Sequence, residues 1–297
     1  MTTGGWSEQM GKQATGEQGD ILPTRFGAVV AGVPRTIGTG FTSLRFGGPM
    51  FERDTDPILM LDHFVMTGAT FAPHLHQRIT TITALFEDSL GSFHNRDTVG
   101  GSVVLEPGDL YRLAAGSGAV HEQRPGEGAR IHALQIFVKL PCALHHNPPQ
   151  ASHVRRADVA LLEGAGYRLR AVLGAEGGAG MERTADEMAL FDGVIHPGGR
   201  FTHHLPCDRK AWLYVISGQL ELQVADSVCV LAAGQMTTVG AGAATRIAVR
   251  AAAACHFILI TAEPVPVPGG LHATLRAARP APVQTVPDRQ PAIEEST

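Results

Sequence analysis

From about residue 21 to residue 265, short runs of apolar and β-branched residues alternate with Gly, Pro and Asp turns, the pattern of an all-β sandwich or barrel. Val103-Val104-Leu105 runs into Pro107-Gly108-Asp109, Ile131 to Leu140 runs into Pro141, and Trp212 to Ile216 runs into Ser217-Gly218. Ile79-Thr80-Thr81-Ile82-Thr83 is β-branched throughout, which favours a strand over a helix. The ends lack this pattern. Residues 1–20 are rich in Gly, Gln and Thr, and residues 266–297 are rich in Pro around a helix-compatible stretch, Gly270–Arg279. Both read as disordered or loosely attached tails.

An internal echo divides the patterned region. Val104-Leu105-Glu106-Pro107-Gly108-Asp109 is repeated loosely as Val230-Leu231-Ala232-Ala233-Gly234-Gln235. A histidine pair lies upstream of each copy, His74/His76 and His203/His204. The spacing predicts a duplicated barrel, with units at 21–153 and 154–265. The region from Val154 to about Leu190, including the Gly/Ala/Glu-rich Gly174–Gly180, reads as the linker between them.

The histidines supply candidate chemistry. In a strand, residues two apart share a face, so His74 and His76 look the same way and Leu75 looks the other. On a helix the same pair would diverge by about 200°. His121, on a second alternating segment, completes a set of three imidazoles able to converge on one divalent transition metal or, without a metal, to line a polar pocket. His203 and His204 are adjacent, and so face opposite ways. No histidine recurs in Gly242-Ala243-Ala244-Thr245, where a counterpart of His121 would fall. The second unit is therefore expected to carry no metal site.

Composition narrows the partners. The chain has 297 residues and a net charge of −4, with no basic stripe to suggest direct nucleic-acid binding. The longest apolar-rich stretch, Ala251 to Ile260, falls far short of the ~20 residues that cross a membrane. Met1 to Gln18 has no apolar core of the kind a secretory signal needs, so a cytoplasmic location is expected. Cys142, Cys207, Cys229 and Cys255 form no CxxC pair and read as reduced thiols. Among the 14 histidines, His63 reads as a hydrogen-bonded core residue or a support for the ligands, while His132, His145, His146 and His153 read as surface or linker positions. Asp109 and Gly116-x-Gly118 read as turn residues, and Arg78 as a solvated arginine.

Four segments resemble the pirins, two-domain members of the cupin superfamily: Asp56 to Phe64, Pro73-His74-Leu75-His76, Pro107-Gly108-Asp109 with Ala114 to His121, and Gln135 to Pro141. Their order and spacing cover about residues 40–150, with weaker similarity over Phe201 to Glu263. The resemblance implies two antiparallel β-barrels and a metal in the first, commonly iron, with zinc, cobalt, nickel or copper as alternatives. It also implies either metal-dependent cleavage of the flavonol quercetin by dioxygen, hence a small aromatic substrate, or a non-catalytic, metal- or redox-responsive co-regulatory role with a protein partner. The family's ligands are the two histidines of an HxH, a third histidine, and a glutamate two residues later. They fall on His74, His76, His121 and Gln123, so a carboxamide takes the place of the carboxylate at the catalytic position. Glu122 is one residue early and would face the other way unless a β-bulge turned it inward. The acidic residue that pirins usually carry four positions after the second histidine is Thr80 here. A carboxamide oxygen is a neutral, weaker ligand without basicity, so metal binding is expected to survive and deprotonation chemistry to suffer.

Overall fold

The computed structural model describes residues 26–51, 55–174 and 188–265. The expected tails at 1–20 and 266–297, with Gly270–Arg279, lie outside the described residues, as does the Gly-rich stretch beyond Gly174. Among the described residues are 22 strands, three short 3-10 helices and no α-helix. No helix there is long and apolar enough to cross a membrane.

In chain order the first twelve strands are β1 (Val30–Ala31), β2 (Val33–Ile37), β3 (Phe41–Gly47), β4 (Ile58–Met66), β5 (His74–His76), β6 (Ile79–Leu85), β7 (Phe93–Asp97), β8 (Gly101–Leu105), β9 (Leu110–Ala114), β10 (Ala119–Pro125), β11 (Ile131–Lys139) and β12 (Gln150–Val154). The remaining ten are β13 (Ala160–Gly164), β14 (Tyr167–Leu173), β15 (Ala189–Ile195), β16 (Arg200–Leu205), β17 (Lys210–Ser217), β18 (Gln219–Val224), β19 (Ser227–Ala232), β20 (Gln235–Val239), β21 (Thr245–Arg250) and β22 (Cys255–Ala262). The first half stacks a seven-stranded sheet, β12-β9-β6-β11-β4-β3-β2, on a four-stranded sheet, β5-β10-β7-β8. The second half repeats that order with β1-β20-β17-β22-β15-β14-β13 and β16-β21-β18-β19. The duplication and the all-antiparallel bicupin architecture are thus both present, as two-sheet sandwiches rather than closed barrels. The two echoed turns are even closed alike. Asp109 Oδ2 accepts from the Glu106 amide at 3.0 Å, and Gln235 Oε1 accepts from the Ala232 amide at 2.8 Å, while Gly108 and Gly234 supply the positive φ (92° and 78°) between them.

Three cores follow from the two-residue period of the strands. In each seven-stranded sheet one set of alternate residues faces its own four-stranded partner. Phe64, Leu85, Tyr111 and Leu113 meet Phe93 and Leu105 in the first half, and Leu213, Phe257 and Leu259 meet Leu220, Leu222 and Ile247 in the second. The opposite set, including Phe46, Leu61, Ile82, Leu134 and Ile136 from one sheet and Trp212, Tyr214, Ile258 and Ile260 from the other, forms a single core between the halves. Fully burying such side chains stabilises by about 1.5–3 kcal/mol each.

Two features cross the expected divisions. The residues before β2 join the second half: β1 pairs with β20, Phe26 bridges to Val239, and the Gly27 amide donates to the Thr238 carbonyl at 2.8 Å. This covers the edge at β20 that β12 covers at β9, and an uncovered edge would present unpaired backbone groups. The region Val154 to Leu190, expected to be linker, instead contains β13 and β14. Its signal was the alternation in Tyr167-Arg168-Leu169-Arg170-Ala171, whose arginines are strand residues facing the first half. Arg168 makes a two-pronged pair with Glu87 at 2.7 and 3.1 Å, and the buried Arg170 donates to Asp192 at 2.9 Å and to the Gly108 carbonyl. Burial alone would raise the Asp192 carboxyl. His256, at 2.6 Å, and Arg170 hold it below the usual carboxylate range instead.

His63 and His132 form the other polar bridge, and His132 is not a surface residue as expected, because its ring lies against His63, Phe86 and Asp88. His132 Nδ1 lies 2.7 Å from Asp88 and must donate to that carboxylate, which leaves its Nε2 as an acceptor. His63 Nε2 therefore donates to it at 2.6 Å, and His63 Nδ1 accepts from the Tyr214 hydroxyl at 2.5 Å. This is the chain with both rings neutral, and protonating both would set two N–H groups against each other at the facing Nε2 atoms. Burial first, then the neighbouring His132 and His256, lower the His63 pKa to about 3. The unfolded chain takes up that proton near pH 6.5, so this contribution is fully present above pH 6.5 and is lost as pH falls towards 3. Stability in urea titrations should therefore drop between pH 6.5 and 4, and His63→Gln should lessen that slope by up to about 1.4 kcal/mol per pH unit. An unchanged slope would assign the acid sensitivity to other histidines.

Candidate metal centre

The four-stranded sheet of the first half positions the three histidines. β10 pairs antiparallel with β5 so that His121 stands directly opposite His74, and Ala119 opposite His76. All three rings turn to the interior of the sandwich, with centroids 4.8 Å apart in every pair. One nitrogen from each can be chosen so that all lie within 4.8 Å of one another. His76 Nε2 and His121 Nε2 are 3.0 Å apart. His74 Nδ1 lies 2.9 Å from the Ala72 carbonyl, to which it donates as N–H. That fixes the ring and leaves Nε2 as the unprotonated donor, the arrangement in which a backbone carbonyl orients a ligating imidazole. His74 is exposed, whereas His76 and His121 are 8% and 4% exposed.

Burial, reinforced by the neighbouring rings, lowers the His76 pKa to about 4 and the His121 pKa to about 3. Both rings are neutral at ordinary pH, the state in which imidazole binds a metal. His121 Nδ1 is buried without a hydrogen-bond partner. Three convergent imidazoles suit a divalent transition metal, since imidazole serves Fe, Co, Ni, Cu and Zn alike. Among the described residues, this is the one group of three or more His, Cys, Asp or Glu side chains that could hold a metal.

Gln123 follows His121 by two positions on β10 and lines the same cavity. Its carboxamide is engaged by Thr83, whose hydroxyl accepts from Gln123 Nε2 at 3.1 Å and lies 3.2 Å from Gln123 Oε1 and 3.0 Å from Gln135 Oε1. A hydroxyl has one proton to give. When it goes to Gln135, the Gln123 oxygen keeps its lone pairs. Glu122 does not replace the missing carboxylate, because β10 pairs with β7 in unbroken register, Glu122 opposite Arg96 and Gln123 opposite Asn95, with no bulge to turn Glu122 inward. Thr80 is also remote in direction. It shares a face of β6 with Ile82 and Ala84, which point to the other half, and its hydroxyl is buried without a partner.

In the second half the corresponding strands carry different residues. His203 and His204 alternate across β16 as expected, and Ile247 stands opposite His203 on β21. His203 packs against Phe191 with ring centroids 5.4 Å apart, and burial lowers its pKa to about 4.

Beside the first-half histidines lies a cavity of about 190 Å³, walled by Phe41, Phe64, Phe93 and Phe137, with Phe71 and His74 exposed among its lining residues. Its polar lining, besides the histidines, comprises Gln123, Gln135, Arg45 and Asp62. Sequence reasoning missed Thr83, Gln135, Arg45 and Asp62. The signal available for Asp62 was a carboxylate inside the otherwise apolar run Ile58 to Met66, where an isolated charge demands a partner. Thr83 was hidden in a β-branched run that reads simply as strand.

Replacing Thr83 with Val would take the hydroxyl away from the buried Gln123 and the half-buried Gln135 carboxamides while keeping the side-chain shape. Unfolding in urea should show a loss of about 1–3 kcal/mol. A loss below about 0.5 kcal/mol would mean that the carboxamides find other partners.

With this geometry in hand, comparison with known proteins gives a consistent result. The family model described as Pirin matches residues 45–138. A Pseudomonas aeruginosa protein named "Putative quercetin 2,3-dioxygenase" is 31% identical over 207 residues, covering 65% of this chain and 71% of that protein. The crystal structure of GK1651 from Geobacillus kaustophilus superposes with a TM-score of 0.74 at 26% identity, covering 84% of this chain and 99% of the other. The bacterial pirin YhhW from Escherichia coli, in complex with nickel(II), shares the fold with a TM-score of 0.60 at 15% identity, over 82% of this chain and 100% of YhhW. The histidine-bearing half carries the family match and both halves carry the fold: the chain belongs to the pirin family of cupins.

Proposed function

We propose that His74, His76 and His121 hold one divalent transition metal, iron by preference, with the Gln123 carboxamide oxygen at or beside the fourth position. In this reading the adjoining cavity brings a hydroxylated aromatic substrate of the flavonol type to that metal for cleavage by dioxygen. The observation that carries it is the convergence of three imidazoles on the wall of an aromatic-lined cavity. The relative's name, quercetin 2,3-dioxygenase, supports the substrate class. Nickel in YhhW supports a metal in a pirin fold without fixing which metal this chain prefers.

When bound, the metal would supply a Lewis acid and open coordination positions for an oxygen-bearing substrate and dioxygen. The chain's own contribution is to orient the three imidazoles through the β5–β10 register and to exclude water with the phenylalanine wall. Gln123 gives no base at this position, since a carboxamide neither ionises nor accepts a proton near neutral pH. Wild type is therefore a slow enzyme in this reading. The same neutral residue favours a second reading, a non-catalytic protein in which metal state biases a protein partner.

Protein purified without a histidine tag should contain about one divalent metal per chain, and the double variant His74→Ala/His121→Ala should contain none. Replacing His203 or His204 should leave the metal content unchanged. Equal metal in wild type and the double variant would sink the site.

Gln123→Glu should tighten metal binding and raise aerobic quercetin turnover by about tenfold or more, within the usual range for a restored acid–base group. Oxygen uptake and loss of flavonol absorbance with iron-, cobalt-, nickel- or copper-loaded protein measure this. Brisk wild-type turnover with a slower Gln123→Glu form would show that the chemistry needs no base at residue 123. Full metal occupancy without turnover by either form would favour the non-catalytic reading.

A further inference from the structure

The metal reading leaves unused the pair formed by Arg45 on β3 and Asp62 on β4. These residues are directly opposite in the antiparallel register, and both line the cavity beside the histidines. Arg45 grips the carboxylate with two nitrogens, Nε to Oδ1 at 2.8 Å and a second arm to Oδ2. Ser43 Oγ adds a longer contact to Oδ1 at 3.4 Å. Asp62 is buried, whereas about a third of the Arg45 side chain is exposed.

Three physical consequences define what such a cavity accepts. An ionised carboxylate is acceptor-only, with about four lone-pair sites. Arg45 and Ser43 occupy three of them, two on Oδ1 and one on Oδ2, so acceptor capacity remains for a donor entering the cavity. Arg45 is already neutralised by Asp62, so an anionic ligand would meet no free cation and would face a carboxylate. Finally, 190 Å³ compares with the roughly 150 Å³ apolar cavity that encloses benzene. The enclosed space thus suits one ring with its substituents, and a larger ligand must extend past Phe71 and His74.

We propose that Asp62, clamped by Arg45, is the recognition group of this cavity: it accepts a hydrogen bond from a hydroxyl on a single aromatic ring held among the phenylalanines. The ligand class is a neutral, ring-hydroxylated aromatic, a phenol or a vicinal diphenol. Asp62 is then the specificity-determining residue that separates hydroxylated rings from their ethers and from aromatic carboxylates. The inference rests on the proposed metal site only for the direction in which a second ring oxygen points. Recognition of the first hydroxyl needs no metal.

The test is calorimetric titration of the full chain at pH 7 with catechol, 1,2-dimethoxybenzene and benzoate, with the protein metal-free and then zinc-loaded, for wild type and Asp62→Asn. Metal-free wild type should bind catechol at least about tenfold more tightly than the dimethyl ether, the scale of one hydrogen bond to a charged group, and should bind benzoate more weakly than catechol. Asp62→Asn should lose most of the catechol preference while keeping its affinity for the ether. Zinc should strengthen catechol binding further in both proteins. The inference is overturned if metal-free wild type fails to bind catechol, binds the ether or benzoate equally well, or is matched for catechol by a folded Asp62→Asn. Should that variant not fold, the three-ligand series on wild type decides the matter alone. Failure of zinc to bind would remove the metal site and leave the metal-free comparison of Asp62 intact.

Discussion

The seven-stranded sheet of the first half is buried on both faces, and the two-residue period of its strands divides every one of them between two environments. On β4, Leu61 and His63 face the other half, whereas Asp62 and Phe64 face the cavity. On β11, His132, Leu134 and Ile136 take the first direction and Gln135 and Phe137 the second. A shift of one residue in either register would exchange the two sets, placing a carboxylate and a carboxamide in the apolar core between the halves. The position of the candidate site and the attachment of the second half are therefore set by the same pairing.

Charge is handled differently on the two sides of that sheet. Between the halves, ionic groups are matched: the half-buried Glu87 with Arg168, and the buried Asp192 with Arg170 and His256. Replacing one partner would leave the other uncompensated, which costs far more than the pair contributes. Around the histidines the chain has gone the other way. Gln123 stands where pirins carry an acid, and the carboxylate among the cavity-lining residues, Asp62, arrives with its own cation. The net effect is three clustered imidazoles with a carboxamide, rather than a carboxylate, two residues after His121.

Among the described residues, the three-histidine cluster belongs to the first half alone. Both halves have the same strand order and even the same side-chain-closed turn, so the scaffold is equally able to present inward residues from β5/β10 and from β16/β21. What differs is which residues occupy those places. Ile247 opposite His203, and Phe191 packed on its ring, fill the second interior with apolar volume.

By itself the sequence determined what depends on local period and residue type. The alternation fixed the strands, the HxH spacing put His74 and His76 on one face, the adjacency of His203 and His204 divided them, and the substitution at Gln123 with Glu122 out of phase was legible from the family pattern. It also carried the repeat, because a turn such as Pro107-Gly108-Asp109 is specified within a few residues. Only the tertiary structure decided the rest. The crossing of β1 to β20 depends on which sheet edge lies open, and the partners of Arg168 and Arg170 on β14 depend on which carboxylates the neighbouring strands and loops bring alongside. The His63–His132 bridge and the Asp62–Arg45 clamp join residues whose neighbours in the chain say nothing of each other. Pleat and turn are properties of consecutive residues, whereas a partner for a buried charge is a property of the strand that happens to lie alongside.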